Sequence, residues 1–495
     1  MQATLATIDR LLNRVTMYKL VGWGLMLIIV AAEILALTDV ISVSALGLAL
    51  TATTLGIVCF ATNWLMAKLY HAQANAESYL ITACILACIL PPTTDIGRLL
   101  LVALAGAIAM ASKYVLVYRG SHIFNPAAVG AFVLSIAGLL PATWWMATPA
   151  LTPVVLFVGL AVLRKIRRFQ VFAVFAAVAV TLLLAVGLTK GQTVGTILYN
   201  AAFSWPIIFF GTIMLTEPST MPATRRYQLL YAGLIGSLFT SQLHIGAVAT
   251  TPQLCLLVGN LFVLLAAPSR GMMVRLKSIR QLSPTQYDLA FSLPPGSRLP
   301  FTPGQYAEWT LEHPRADIRG NRRSFSIASS PSEPELHLGI RRFDRSSSFK
   351  SALLGLKPGS RVRVAHVAGN FTLPEDTKRP LVFIAGGIGI TPFRSMVQDM
   401  VERGEHRDAT LVYVANDKQD FIYRDTFKAA QKLGVTTHYV AGRLQPEEFA
   451  RLVPHVRESL VYVSGPDAMV SAYRANLRAL GVPAGSIKTD HFSGY

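Results

Sequence analysis

Histidine, cysteine and charge are all scarce in the first 270 residues of this 495-residue chain, and each scarcity excludes something. Only His71, His122 and His244 occur there, each near the end of an apolar run. Two stacked haems need four axial histidines paired across two helices, so a transmembrane haem reductase is disfavoured. The four cysteines, Cys59, Cys84, Cys88 and Cys255, all fall in apolar segments, and none follows Cys255. That excludes a disulfide scaffold and a cysteine-ligated iron–sulfur module in the second half. Cys84 and Cys88 stand one helical turn apart; packing as small soft residues in a helix core accounts for them better than a shared metal does.

Charged residues make up 15% of the chain against 52% hydrophobic, a balance that rules out disorder and an ordinary soluble enzyme. Residues 1–270 hold 15 Lys+Arg and 6 Asp+Glu, and residues 271–495 hold 30 and 21. Each part therefore carries the same +9, and the basic excess gives no pointer to nucleic acid. What separates the halves is apolar run length. Runs recur near 18–37, 43–67, 78–92, 98–117, 124–140, 150–163, 170–187, 200–216, 228–243 and 252–267. Ten crossings are expected, with the third, fifth and sixth runs short enough to be tilted or re-entrant.

Basic residues orient these runs. With the N-terminus inside, thirteen Lys and Arg, from Arg10 to Arg270, fall on the cytoplasmic side, and only Arg98 and Lys190 fall outside. An even count returns the chain to the cytoplasm at Arg270. The first run, from Tyr18, is long enough to span and lacks a clear cleavage site, so no removable signal peptide is expected. The expectation is a multi-pass protein of the cytoplasmic (inner) membrane with both termini in the cytoplasm, and lipid as its surroundings.

Polar residues inside such helices are few and informative. Glu33 lies in the first run, where a snorkelling carboxylate and a proton or cation role are both open. Ser121-His122-Ile123-Phe124-Asn125-Pro126 opens the fifth, with Asn125 placed to cap and Pro126 suited to the first turn. Thr216-Glu217-Pro218 closes the eighth. Helix ends explain the Asn and Pro; they explain less well a histidine and a carboxylate at those two entrances.

These segments carry a resemblance. HIFNPAA, the LTEP turn and the ten-run layout resemble the RnfD-like membrane subunits of Rnf complexes. They are also similar to the NqrB-like membrane subunits of the sodium-pumping NADH:quinone oxidoreductase. The likeness covers about residues 15–268. It implies an FMN attached through phosphate to a Thr ten residues before an Asp-Pro. Here Glu217-Pro218 stands for Asp-Pro, and the acceptor position in Ser204-Trp205-Pro206-Ile207 is Ile207, which has no hydroxyl to esterify. Covalent FMN is therefore not expected, which leaves a non-covalent FMN or a quinone as the carrier. His122, Asn125, Thr216 and Glu217 are the candidates to line its entrance.

From Met272 the pattern becomes short alternating strands: Arg275–Leu293, Gln305–Leu311, Ser324–Ser329, Leu336–Phe343 and Arg361–Val367. Turns at Pro303-Gly304, Lys357-Pro358-Gly359 and Gly369-Asn370 suit a small antiparallel barrel. After Pro380, LVFIAGG, ATLVYVAN, THYVAG and LVYVSGP read as buried parallel strands. Alternation puts Ser324 and Ser326 on one face of their strand, with Arg323 and Phe325 on the other. A cation, a ring and hydroxyls suit a flavin. Ser346-Ser347-Ser348-Phe349-Lys350 then opens a helix, where Ser347, Ser348 and Lys350 are candidates to hold phosphate. The turn AGGIGITP, with Gly386, Gly387, Gly389, Thr391 and Pro392, separates a strand from a helix. Gly465-Pro466 marks another strand end on the same edge.

Together these motifs resemble the ferredoxin–NADP reductase superfamily. RSFS, PGQY, GNF, GGIGITP, VSGPDAM and the terminal DHFSGY follow at that family's spacing across essentially all of 271–495. The resemblance implies that Arg323 serves the flavin phosphate, Phe325 packs on the ring and Ser326 contacts its reactive edge. It also implies that the glycine turn holds NADH or NADPH. Ser464 replaces a common Cys, Asp490 a common Glu, and Tyr495 is placed to shield the flavin. Ser326, Ser464 and Tyr495 are thus the catalytic candidates. Asp417 favours the free 2′-hydroxyl of NADH, while Lys418 and Arg424 suit NADPH, and the choice stays open.

The resulting expectation has three parts: a polytopic α-helical membrane domain (1–270), an antiparallel β-barrel FAD domain (271–377) and an α/β NAD(P)-binding domain (378–495). Electrons from cytoplasmic NAD(P)H would pass through FAD into the membrane domain, toward a flavin, a quinone or an extracytoplasmic redox protein. A redox-driven Na+ or H+ pump and a solute permease with a regulatory flavin domain are the alternatives.

Overall fold

The computed structural model describes residues 8, 12, 15–70, 76–118, 121–222, 224–240, 244–245, 248–266, 271–313, 321–343, 346–442, 444 and 446–490. The chain divides into two compact units that part between Ser269 and Arg270.

In the first unit the helices are α1 Met17–Leu37, α2 Ala45–Leu69, α3 Ala76–Ile89, α4 Ile96–Val115, α5 Pro126–Ile136, α6 Thr152–Ile166 and α7 Phe169–Thr189. They continue with α8 Val194–Phe203, α9 Ile207–Met214, α10 Arg225–Thr240 and α11 Pro252–Ala266. Two-residue strands β1 (Val117–Tyr118) and β2 (Ser121–His122) precede α5, and β3 (His244–Ile245) and β4 (Val248–Ala249) precede α11. Starts are set by short polar side chains. Thr16, Ser44, Asp95 and Asn125 each accept a backbone N–H from the first turn of their helix.

Helix is found within each of the ten apolar runs. Length is the point of difference: among the described residues four helices, α1, α2, α4 and α7, are long and apolar enough to cross a membrane. The bent pair α8 and α9 makes five if counted as one span. Their axes meet at 54°, and the break falls at Ser204–Pro206, the stretch singled out for lacking an esterifiable Thr. Proline removes a donor there and Asn200 O accepts from both Ser204 N and Trp205 N at 2.9 Å. Five residues of α9, Phe210–Met214, are π-helical.

Close helix contact in this unit uses small residues. A Cβ on Gly236 of α10 would stand 2.9 Å from Phe175 O of α7, so only glycine lets these two backbones approach. Cys59, Cys84, Cys88 and Cys255 are all free and buried, and no metal-binding group of His, Cys, Asp or Glu is found among the described residues.

The second unit begins with β5 Met272–Gln281, β6 Gln286–Ser292, β7 Tyr306–Thr310, β8 Arg322–Ser326 and β9 Glu335–Arg341. Helix α12 (Ser348–Leu354) and β10 (Arg361–Ala368) follow. The expected long strand 275–293 is two, because Leu282–Gln286 folds back as a hairpin with Leu282 N on Gln286 O at 2.9 Å. The six strands form an antiparallel sheet in the order β8-β7-β10-β5-β6-β9. No ladder among the described residues joins β8 to β9, so hydrogen bonding does not close it into the expected barrel. Ala328 N on His337 O at 2.9 Å is a bond across that gap. Alternate residues point into one core with Phe291, Trp309 and Phe349 at its centre; burying a side chain of that size contributes about 2–3 kcal/mol.

Next come β11 Leu381–Gly386, α13 Thr391–Arg403, β12 Ala409–Ala415, α14 Arg424–Ala429 and β13 Val435–Ala441. Finally α15 Pro446–Leu452, β14 Leu460–Ser464, α16 Asp467–Ala479 and β15 Ile487–Thr489 complete the unit. The sheet is wholly parallel, in the order β13-β12-β11-β14-β15. Strand order reverses at β11, so a crevice opens where the chain leaves β11 and β14 in opposite directions.

A polar seam joins the two sheets of this unit. Asp288 of β6 is buried and accepts from His337 Nδ1 and from the Tyr423 hydroxyl, each at 2.8 Å. Tyr423 takes a left-handed backbone, φ +59°, to reach it. Arg394 of α13 stacks over the Tyr423 ring, donates to Ala328 O at 2.9 Å and pairs with Glu333. Burial opposes the charge on Asp288, but the His337 hydrogen bond and charge, then Tyr423 and Arg394, outweigh it and hold the carboxyl below its ordinary value. A depressed value adds stability above the unfolded value of 3.8, and that stability is lost as pH falls through the lower folded value. Asp288→Asn is therefore expected to flatten the acid limb of the stability curve below about pH 4. Unfolding followed by circular dichroism from pH 2.5 to 6 checks this; unchanged slopes would mean the seam carries no linkage.

Candidate functional site

β8 pairs with β7 so that Arg323 faces Trp309, Phe325 faces Ala307 and Ser326 faces Tyr306. Arg323 is buried, with its guanidinium 5.3 Å from the Phe349 ring centre and Nη1 donating to Arg322 O at 2.7 Å. Phe325 lies 6.0 Å from the same ring. Arg323 and Phe325 thus share the Phe349 side of the strand. Ser324 sits half-exposed opposite Glu308. Ser326 points elsewhere, and its Oγ donates to Asp490 Oδ2 at 3.2 Å.

Asp490 follows β15 and is tied by its own N–H to Val463 O at 3.0 Å. The same Oδ2 accepts from Ser464 Oγ at 3.4 Å. Two of the three catalytic candidates, one from each sheet of the unit, are therefore brought to one carboxylate oxygen. In the sequence Asp490 stands out only as a departure from a commoner residue. Tyr495, the third candidate, lies outside the described residues.

The glycine turn stands beside this point. Gly386 ends β11, a short 3-10 turn covers Gly387–Ile390, and α13 starts at Thr391 with Pro392 in its first turn. Gly387 needs its positive φ of +53°. A Cβ on Gly389 would lie 2.5 Å from Ser464 O and 2.7 Å from Gly465 Cα, so the ends of β11 and β14 touch backbone to backbone. Gly386 is walled in by the side chains of Pro466 and Met469. Thr391 does not aim its hydroxyl outward, because Oγ1 donates to Ile388 O at 3.1 Å. What the turn offers is glycine backbone without side chains ahead of a thirteen-residue helix, the kind of place that suits a diphosphate.

Ser347, Ser348 and Lys350 have internal duties. Ser347 Oγ caps α12 by accepting Lys350 N at 3.3 Å, and Ser348 Oγ lies 2.9 Å from His313 Nε2. The Lys350 amine donates to Arg341 O at 3.2 Å. Their link to the site is through Phe349, which carries Arg323 and Phe325. At the end of β12, Asp417 and Lys418 are exposed, while Arg424 packs over Phe421 and Tyr439 and donates to Lys418 O at 3.2 Å.

In the first unit, His122, Asn125 and Glu217 border one small cavity, together with Tyr18, Ser78, Lys113 and apolar residues such as Met17 and Ile213. Asn125 Nδ2 donates to Glu217 Oε2 at 2.7 Å, and Asn125 Oδ1 caps α5 through Ala128 N at 3.0 Å. Thr216 is not part of this lining; it is fully buried and its hydroxyl donates to Thr212 O at 2.7 Å, one helical turn back. Lys113, bonded to Ser78, is a lining residue whose position in the sequence marks only the sidedness of a helix end.

Known proteins resemble part of this chain. The family model of the oxidoreductase NAD-binding domain matches residues 383–475. Ferredoxin–NADP reductase B of Sorangium cellulosum is 29% identical over 238 residues, 44% of this chain and 96% of that protein. The toluate 1,2-dioxygenase electron transfer component of Pseudomonas putida is 28% identical over 236 residues, 45% of this chain and 68% of that one. Tetrachlorobenzoquinone reductase of Sphingobium chlorophenolicum is 32% identical over 206 residues, 40% of this chain, which spans 60% of that protein's length. The family match lies wholly in the second unit and does not reach the helical one. Glycine cradle, paired serines and sequence likeness agree: the C-terminal unit is a ferredoxin–NADP reductase-like FAD- and NAD-binding module, and the chain that carries it is an oxidoreductase.

Proposed function

We propose that this protein is a membrane-bound NAD(P)H-dependent flavin oxidoreductase whose helical unit receives the electrons. The convergence of Ser326 and Ser464 on Asp490 beside the Gly386–Ile390 turn carries the reading. A bound FAD would supply the capacity to accept one hydride and release its two electrons singly, which nicotinamide does not readily do. The chain's own part is placement. Arg323 would hold the flavin's phosphate side, Phe325 would pack against its ring, and the glycine turn would bind the nicotinamide dinucleotide. Asp490 fixes both serine hydroxyls where the two ligands would meet. Hydride transfer needs no general acid or base here, so geometry and exclusion of water decide the rate.

Membrane location is supported by the faces the helices leave bare. On α1, Trp23, Leu27, Val30 and Ile34 form one stripe and stay 46–56% exposed. Water would oppose such a stripe, and lipid would not. Exposed Trp64, Tyr70 and Tyr118 stand at or near helix ends, as aromatic belts do. Ten crossings, cytoplasmic termini and the likeness to the membrane subunits of Rnf complexes and of the sodium-pumping quinone oxidoreductase belong to this proposal. So does a non-covalent FMN or a quinone as acceptor in the His122–Glu217 cavity. The carboxylate of Glu217 at that cavity favours, as a second reading, coupling of electron flow to ion movement.

A flavin census on the purified full chain tests the proposal. One acid-releasable FAD per chain, reduced by NADH or NADPH, is expected, and no flavin should survive acid precipitation, because Ile207 has no hydroxyl. A colourless protein indifferent to both nucleotides would end the reading.

A further inference from the structure

We propose that His122 and Glu217 form a proton-delivery pair for the cavity of the helical unit. The inference rests on the reading that this cavity is where electrons arrive. Glu217 is held as an acceptor: Asn125 Nδ2 and Thr220 Oγ1 donate to Oε2 at 2.7 and 3.2 Å, and Ser219 Oγ donates to Oε1 at 3.0 Å. Three donors suit an ionised carboxylate, and the basic side chain within salt-bridge reach of it among the described residues is the His122 imidazole.

His122 Nε2 stands 3.8 Å from Glu217 Oε1, too far for a hydrogen bond, and has no other hydrogen-bond partner among the described residues. A bare lone pair facing a carboxylate would be repelled, so Nε2 carries a proton. That proton is buried, held by no acceptor among the described residues, and at the cavity wall. The surrounding titratable groups leave His122 this task. Lys113 on α4 is bonded to Ser78, Tyr18 on α1 lines the cavity, and Glu77 beside Ser78 pairs with Lys19 at 3.8 Å. Tyr231 on α10 is fully buried behind Glu217.

Stoichiometry makes such a donor necessary. Reduction of a quinone-class acceptor runs overall as NAD(P)H + H+ + Q → NAD(P)+ + QH2, but electrons that arrive singly leave the hydride's proton behind, so both protons of Q + 2 e− + 2 H+ → QH2 must reach the cavity from solvent. His122 gives its Nε2 proton to a reduced acceptor oxygen and is recharged from solvent, once for each electron delivered, with the Glu217 carboxylate beside it as counter-charge.

The test uses the full chain in lipid nanodiscs with a short-chain quinone, and ferricyanide as an acceptor that takes electrons without protons. In His122→Gln and Glu217→Gln the ratio of quinone to ferricyanide reduction should fall about a hundredfold at pH 8, the lower end of the usual range for a lost proton donor. Added imidazole should restore the ratio in His122→Gln, an effect that a merely structural residue would not show. Monodisperse elution and retained flavin establish that each variant folds. If the wild type reduces quinone and both variants keep its ratio and pH profile, the pair has no such role. If the wild type reduces ferricyanide but no quinone, the electron-acceptor reading of the cavity falls and takes this proposal with it.

Discussion

Gly389→Ala should lower kcat/KM for NAD(P)H by about a hundredfold while flavin content stays near that of the wild type. The added Cβ meets Ser464 O at 2.5 Å, the Ser464 carbonyl carbon at 2.6 Å and Gly465 Cα at 2.7 Å. All three are backbone atoms at the end of a buried parallel strand, so no rotamer change relieves the contact. Strand ends β11 and β14 must part, and overpacking of this kind costs about 1–3 kcal/mol. Spent on the geometry of one turn, the upper part of that range corresponds to about a hundredfold in rate. Steady-state oxidation of NADH and NADPH, with flavin quantified per chain, checks it. Parity with the wild type would mean the nucleotide binds elsewhere.

Asp490→Ala is the second large effect. It removes the acceptor shared by Ser326 and Ser464, and with it a contact that joins those two side chains. Loss of that anchor lets both hydroxyls swing, and misplacement near 1 Å costs about a hundredfold in a reaction governed by alignment. A drop of roughly ten- to a hundredfold in the rate of flavin reduction is therefore expected by stopped-flow, with little change in nucleotide affinity. Asp490→Asn, which keeps an acceptor oxygen at the same reach, should retain more activity than alanine. Equal rates for alanine and wild type would make Ser326 and Ser464 independent of Asp490.

The legible parts of this molecule were those written in local chemistry. Asn125-Pro126 announces a helix start because an amide accepts what the first turn leaves unpaired, and Asn125 caps α5 through Ala128 N. LVFIAGG followed by a helix announces a buried strand and a cradle, because only glycine lets two strand ends touch. Arg323 and Phe325 were assigned to one face by a period of two, and both meet Phe349.

Other features needed contacts between residues far apart in the chain. Nothing near Asp288 in sequence predicts that Tyr423, 135 positions on, bends its backbone to bond it. Thr216 and Glu217 are neighbours in sequence, yet one turns into its helix and the other into the cavity.

Sequence alone thus determined which stretches are helix, strand or glycine turn, and that an apolar half precedes a nucleotide-binding one, since hydrophobic period and backbone sterics act over a few residues. Tertiary structure decided which of those residues share a site: that Asp490 gathers Ser326 and Ser464, and that His122 faces Glu217 across 3.8 Å. Hydrogen bonds and charge pairs act at a few ångströms in space, and folding sets that distance between residues the chain holds far apart.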